Sequence, residues 1–157
     1  GIRDIGVTGV QTCALPIFMK IAPILSELDQ QEQVKTTLVH TGQHYDKNLS
    51  KVFFSELNIR SPDRSLEVGS GSHAEQTAAV MVAIEKELTS AQQIGNPVTQ
   101  LIVVGDVNST VAATLAATKL NISVAHVEAG LRSNDRGMPE EINRIVTDSI
   151  ESLSRQS

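Results

Sequence analysis

Residues 124–144 read VAHVEAGLRSNDRGMPEEINR, from Val124 to Arg144, and the fold is decided there. The apolar, β-branched opening at Val124, Ala125 and Val127 reads as a buried strand, and Glu128, Ala129 and Gly130 turn the chain out of it. Pro139 then suits the first position of a helix, where its missing N–H costs nothing, and Glu140 and Glu141 suit the positive end of the helix dipole. Ile142, Ile145, Val146 and Ile150 continue at helical spacing, with Glu140 and Arg144 as an i,i+4 pair. One crossover thus carries Glu128 at the carboxyl end of a strand and Glu140 at a helix N-terminus. An open α/β sheet directs both to the same crevice.

Working outward, Leu101 to Val104 is the strongest strand signal in the chain. Gly105-Asp106-Val107-Asn108-Ser109-Thr110 turns it into an Ala-rich helix that runs through Leu120. Upstream, Gly69-Ser70-Gly71-Ser72 precedes a long helix over His73 to Ala91, with a buried stripe expected at Ala74, Thr77, Val80, Met81, Ile84 and Leu88. Before that the pattern predicts an edge strand over Ser65 to Val68, a surface turn from Arg60 to Arg64, a short helix from Asn48 to Leu57 and a polar loop from Thr41 to Asp46. A strand from Val34 to His40 and an amphipathic helix from Met19 to Gln30 complete the series. Strands and helices alternate with crossovers of the length that a parallel sheet requires. The expected fold is therefore α/β, a doubly wound Rossmann-like parallel sheet, with the strand-end loops at Thr41, Gly69, Gly105 and Glu128 along one rim.

Residues 1–17, GIRDIGVTGVQTCALPI, stand apart from this pattern while occupying the place where such a sheet needs its first, central strand. Their text resembles translated read-through of a sequencing adapter. We expect a non-native segment over 1–17, ahead of one Rossmann-like domain over 18–157, with Ile5 to Val10 standing in for the missing strand.

The 157 residues are 40% hydrophobic, enough for one core and one domain. With 13 Lys+Arg against 18 Asp+Glu the net charge is −5, and no basic cluster interrupts it, so nucleic acid and anionic membrane are poor partners. The single Cys13 allows no intrachain disulfide and fits a reducing compartment. The longest apolar stretch, Ala14 to Leu25, is too short and too broken to span a bilayer, and no signal peptide is evident. The expectation is a soluble, cytoplasmic protein.

Each chemical motif has a plainer reading beside it. Asp106 is either a turn or cap residue or a carboxylate aimed at a ligand. Glu128 closes a buried strand and has no capping role to perform, which sets a functional role level with a structural one. Glu140 and Glu141 are both explained by the helix dipole alone. His40, His44, His73 and His126 invite a metal, but the Thr-Gly-Gln between His40 and His44 makes a strand exit and not the helix that a paired-histidine zinc site requires; no metal is expected. Gly69-Ser70-Gly71-Ser72-His73-Ala74 fits a dinucleotide-binding pattern in spacing but not in position, and the glycines more plausibly allow close backbone approach to a phosphate or sugar. A phosphate-binding P-loop and a nucleophile elbow are both absent.

Five blocks together resemble the non-hydrolysing UDP-N-acetylglucosamine 2-epimerases: Phe18 to Pro23, Thr41 to Asp46, Gly69 to Thr77, Val104 to Thr110 and His126 to Arg144, in order and over about Phe18 to Ile150. The resemblance implies a two-domain, glycosyltransferase-B-like fold of which this chain is the N-terminal half. It implies inversion at C2 of UDP-N-acetylglucosamine to give UDP-N-acetylmannosamine, by elimination of UDP to a 2-acetamidoglucal and re-addition, with no redox cofactor. Carried over by position, Asp106, Glu128 and Glu140 are the catalytic candidates. Lys20, His44 and Arg144 are the substrate-binding ones, with Lys20 near the phosphates and Arg144 orienting the acidic cluster. A homodimer is implied for the full-length protein, with a nucleotide sugar as partner and a role in cell-envelope polysaccharide synthesis. The family's arginine before the first helix is replaced here by Leu15-Pro16-Ile17, and the half that grips most of UDP lies outside the sequence, so the isolated chain is expected to bind weakly and turn over negligibly. Three other readings are a glycosyltransferase of the same architecture, a hydrolysing epimerase and a non-catalytic nucleotide-sugar-binding module.

Overall fold

The computed structural model describes residues 3–8, 14–42 and 54–154. Five parallel strands form one sheet: β1 (Arg3–Thr8), β2 (Val34–His40), β3 (Arg64–Ser65), β4 (Val98–Val104) and β5 (Ser123–Val127), in the order β3-β2-β1-β4-β5. Among the described residues four helices of 12 residues or more accompany them: α1 (Ala14–Asp29), α2 (His73–Gln93), α3 (Asn108–Lys119) and α4 (Pro139–Ser154). The chain steps outward from β1 through β2 to β3, crosses back by α2, and steps outward the other way through β4 and β5. Strand order thus reverses between β1 and β4, and ligands of doubly wound sheets bind beyond the carboxyl ends at such a switch point.

Alternation within the strands feeds two apolar layers. Val39, Leu101, Val103 and Val124 face Val80, Ile84 and Leu88 of α2 and the small Ala112, Ala113, Ala116 and Ala117 of α3. Leu38, Ile102 and Val104 face the opposite way, onto Ile17, Phe18, Ile21 and Leu25 of α1. The alanines let α3 sit close to the sheet, and α4 packs outside it against α3 and β5.

Several sequence expectations shift. The central place is filled by β1, in register with β2 from Arg3↔Val34 to Thr8↔Val39. Helix α1 begins at Ala14, five residues before the predicted Met19, because Ile17 is an interior residue of the α1 layer. The edge strand is two residues long and starts at Arg64, inside the predicted turn, since only Val39 and His40 offer it backbone partners. The stripe on α2 is Gln76, Val80, Ile84 and Leu88, at strict i,i+4 spacing; Ala74 is exposed. Most of the loop expected at Thr41 to Asp46, including His44, and most of the helix expected from Asn48 to Leu57 lie outside the described residues.

Candidate active site

Each strand end delivers one chemical group to the rim between β4 and β5. After β4 the chain turns at Gly105, whose φ of +79° favours glycine and whose Cβ, if present, would meet Ile17 at 3.5 Å and the Glu128 carboxylate at 3.9 Å. Asp106 follows. It does not cap α3: the cap is Val107, with no side-chain bond. The Asp106 carboxylate instead forms an ion pair with Arg144 of α4, so the cap reading gives way to a charge contact across two elements.

Glu128 leaves β5 with φ +81°, left-handed backbone that a residue with a Cβ rarely adopts. Lys20, from the second turn of α1, forms an ion pair with it, and both side chains are partly open to solvent. The cation therefore neutralises the carboxylate without sealing it from a ligand.

On α4 the two adjacent glutamates separate. Glu141 is 1% exposed, whereas Glu140 is exposed. Glu141 accepts from the backbone N–H groups of Ser133 at 2.9 Å and Asn134 at 3.1 Å. Arg144 donates to it from Nε at 3.0 Å and Nη2 at 2.8 Å. The Ser133 backbone bond, with help from Arg144 and Asn134, outweighs burial and holds the Glu141 carboxyl down to about 2. The expected Glu140–Arg144 pair is thus replaced: Arg144 turns inward to Glu141 and Asp106, because those carboxylates lie on the side of α4 that faces the protein. Both glutamates satisfied the dipole argument, and only the phase of α4 against the preceding loop decides between them.

Amides join the cluster. Asn143 Nδ2 donates to the Asp106 carbonyl at 2.9 Å and to Asn108 Oδ1 at 3.3 Å. Asn108 Nδ2 donates to Gln76 Oε1 at 3.2 Å and to His73 Nδ1 at 3.0 Å. Beside this network lies a groove of about 490 Å³, lined by His73, Thr77, Met81, Asn108, Pro139 and Ile142 among others. The glycine run before α2 has a local role as well. Ser72 accepts from the Glu75 N–H, Glu75 accepts from the Ser72 N–H, and a Cβ on Gly71 would lie 3.1 Å from the Glu75 carboxylate.

Lys20, Asp106, Glu128 and Arg144 are thereby brought to one rim, with Glu140 on the first turn of the helix that carries Arg144; His44 lies outside the described residues. A family model for UDP-N-acetylglucosamine 2-epimerase matches residues 26–154. The chain belongs to that family. A UDP-N-acetylglucosamine 2-epimerase homolog of Methanococcus maripaludis is 47% identical over 89% of this chain and 37% of its own length. A UDP-2,3-diacetamido-2,3-dideoxy-D-glucuronate 2-epimerase of Pseudomonas aeruginosa is 40% identical over 89% of this chain and 38% of its own. The crystal structure of Methanocaldococcus jannaschii UDP-GlcNAc 2-epimerase in complex with UDP-GlcNAc and UDP superposes with a TM-score of 0.81 at 40% identity, covering 99% of this chain and 41% of that one. The chain therefore spans less than half the length of the relatives that it matches.

Sequence reading passed over Asn143 and Asp148, and it gave Glu141 to the helix dipole alone, missing its contacts with Arg144 and the preceding loop. Spacing offered a signal for Glu141 and Asp148: Glu141, Arg144, Asp148 and Glu151 recur at i, i+3, i+7 and i+10, the period of a helix face. The face of α4 toward the protein is this charged stripe, while Ile142, expected inside, is 50% exposed.

Proposed function

We propose that this chain is the N-terminal, Rossmann-like half of a glycosyltransferase-B-like enzyme that interconverts UDP-N-acetylglucosamine and UDP-N-acetylmannosamine. The observation that carries the reading is the convergence of Asp106 from β4 and Glu128 from β5 on one rim, each held by a cation from a different helix. The C2–H of the sugar is weakly acidic, so its removal is coupled to departure of UDP from C1: a carboxylate takes the proton, the C–H electron pair forms the C1–C2 double bond, and the diphosphate leaves with the C1–O pair. Return of a proton to the opposite face of C2 and re-addition of UDP at C1 gives the inverted sugar. The oxidation state is unchanged, so the step calls for no redox cofactor. Glu128 and Glu140 are assigned to proton handling, and Asp106 to the sugar or the proton network. Lys20 balances charge beside Glu128, Arg144 orients Asp106, and His44 contacts substrate.

The same reading extends to a homodimeric, cytoplasmic enzyme serving cell-envelope polysaccharide synthesis; no helix among the described residues is long and apolar enough to cross a membrane. The test is to incubate the full-length protein that contains this chain with UDP-N-acetylglucosamine alone in D2O. UDP-N-acetylmannosamine carrying one deuterium at C2 is expected. Release of free N-acetylmannosamine, or turnover only when a sugar acceptor is added, would overturn the assignment. A second substrate, a UDP-2,3-diacetamido uronate, is favoured by the 40% identical Pseudomonas relative, and the same assay run on both sugars separates them by kcat/KM.

A further inference from the structure

Asp148 sits in the middle of α4, and its two carboxylate oxygens serve different masters. Oδ1 lies 2.7 Å from His126 Nδ1. Oδ2 accepts from the Gly130 N–H at 2.9 Å and lies 2.6 Å from the Arg132 guanidinium. His126 and Gly130 fall two residues before and two residues after Glu128. Asp148 therefore brackets Glu128, whose backbone is left-handed at φ +81° although it carries a side chain. Such a conformation is strained for a residue with a side chain and persists where surrounding contacts over-determine it.

The bracket continues across the sheet. His126 Nε2 lies 2.8 Å from the Gly105 carbonyl, and the Gly105 N–H donates to the Val127 carbonyl at 3.2 Å. The peptide that launches Asp106 is thus tied on both sides to the strand that launches Glu128. A carbonyl can only accept, so Nε2 carries a proton, and a second proton lies in the contact between Nδ1 and Asp148. Burial opposes charge on Asp148, yet donation from Gly130, His126 and Arg132 holds its carboxyl below the ordinary range.

We propose that Asp148, acting through His126 and the Gly130 amide, is a positioning residue of the site: it maintains the left-handed backbone of Glu128 and sets the Gly105–Asp106 turn at a fixed distance from it. The catalytic consequence rests on the epimerase reading; the bracket itself does not.

Asp148→Asn can preserve every contact, because its amide oxygen still accepts from Gly130 and Arg132 while its NH2 donates to Nδ1 of a ring protonated at Nε2. Asp148→Ala preserves none. In the full-length protein Asp148→Ala is expected to lower kcat about 10–100-fold, the scale of an ångström-sized misplacement of a reacting group, with KM nearly unchanged, and Asp148→Asn to restore most of that loss. His126→Phe, which keeps the ring but has no donor, is expected to fall with Asp148→Ala and serves in its place should that variant not fold. Two NMR readouts need no turnover: a ring proton on His126 Nε2 in the parent and in Asp148→Asn, and faster exchange of the Gly130 amide in Asp148→Ala. A bare Nε2, unchanged Gly130 exchange, or an asparagine variant as impaired as alanine would overturn the proposal. An intact bracket in a parent protein that does not epimerise would instead count against the functional reading.

Discussion

The two halves of the sheet differ in how they are held. On one side of the switch point, β4, α3, β5 and α4 are laced by explicit polar bonds: Arg144 to Asp106 and Glu141, His126 to Asp148 and Gly105, Asn143 to Asn108 and the Asp106 carbonyl. On the other side, β1, α1 and β2 rest on apolar layers and contribute Lys20 to the rim, and their own polar network, in which Arg60 joins Asp29, Thr36 and Asp63, includes none of the rim residues. Within the apolar layers β4 buries Leu101, Ile102, Val103 and Val104 in succession. Such layers tolerate the loss of a side chain at a graded cost. A lattice of buried charges does not, because every donor removed leaves an acceptor unsatisfied.

Three experiments act on that contrast. The largest effect is expected on the laced side, where Glu128→Gln in the full-length protein should lower kcat by about 10²–10⁴-fold, the range for loss of a general base, with little change in melting temperature. A variant that keeps its turnover would show that the charge at the rim is structural. In the apolar layer, Leu101→Ala should lower unfolding free energy by about 2–5 kcal/mol in denaturant titration. A smaller loss would mean that the layer under α2 and α3 can collapse around the missing side chain. The smallest effect is confined to acid. Glu141 is held at about 2 against an ordinary 4.5, so the folded state binds its proton less readily than the unfolded chain. Its contribution is complete above about pH 4.5 and is lost as pH falls from there toward 2. Glu141→Gln should flatten that stretch of the stability profile, and an unaltered profile would place the acid sensitivity on another carboxylate.

Much of this arrangement was legible beforehand. Leu101 to Val104 reads as a buried strand in any context, and Pro139 with two following carboxylates marks a helix start by chemistry that acts within one turn. Glu128 at a strand end had no local duty, which is why it stood out. The reading slipped where the deciding contact came from another element. Nothing local separates Glu140 from Glu141, since both suit the dipole; the Ser133 and Asn134 amides make the choice. The apolar residues of α4 suggested the wrong inner face, because polar donors arriving from β5 and the turn after it reward a charged stripe that hydrophobic periodicity cannot register. Asp148 had no motif to announce it, and its value lies in reaching residues on both sides of Glu128.

The backbone at Glu128 has an implication for anyone reshaping this protein. Glycine would relax the left-handed turn there, so a selection run on heat endurance alone should drift toward Glu128→Gly and enrich well-folded molecules with an inert rim. Durability and chemistry compete at that single codon, and a screen that scores both is the one that would retain the acid.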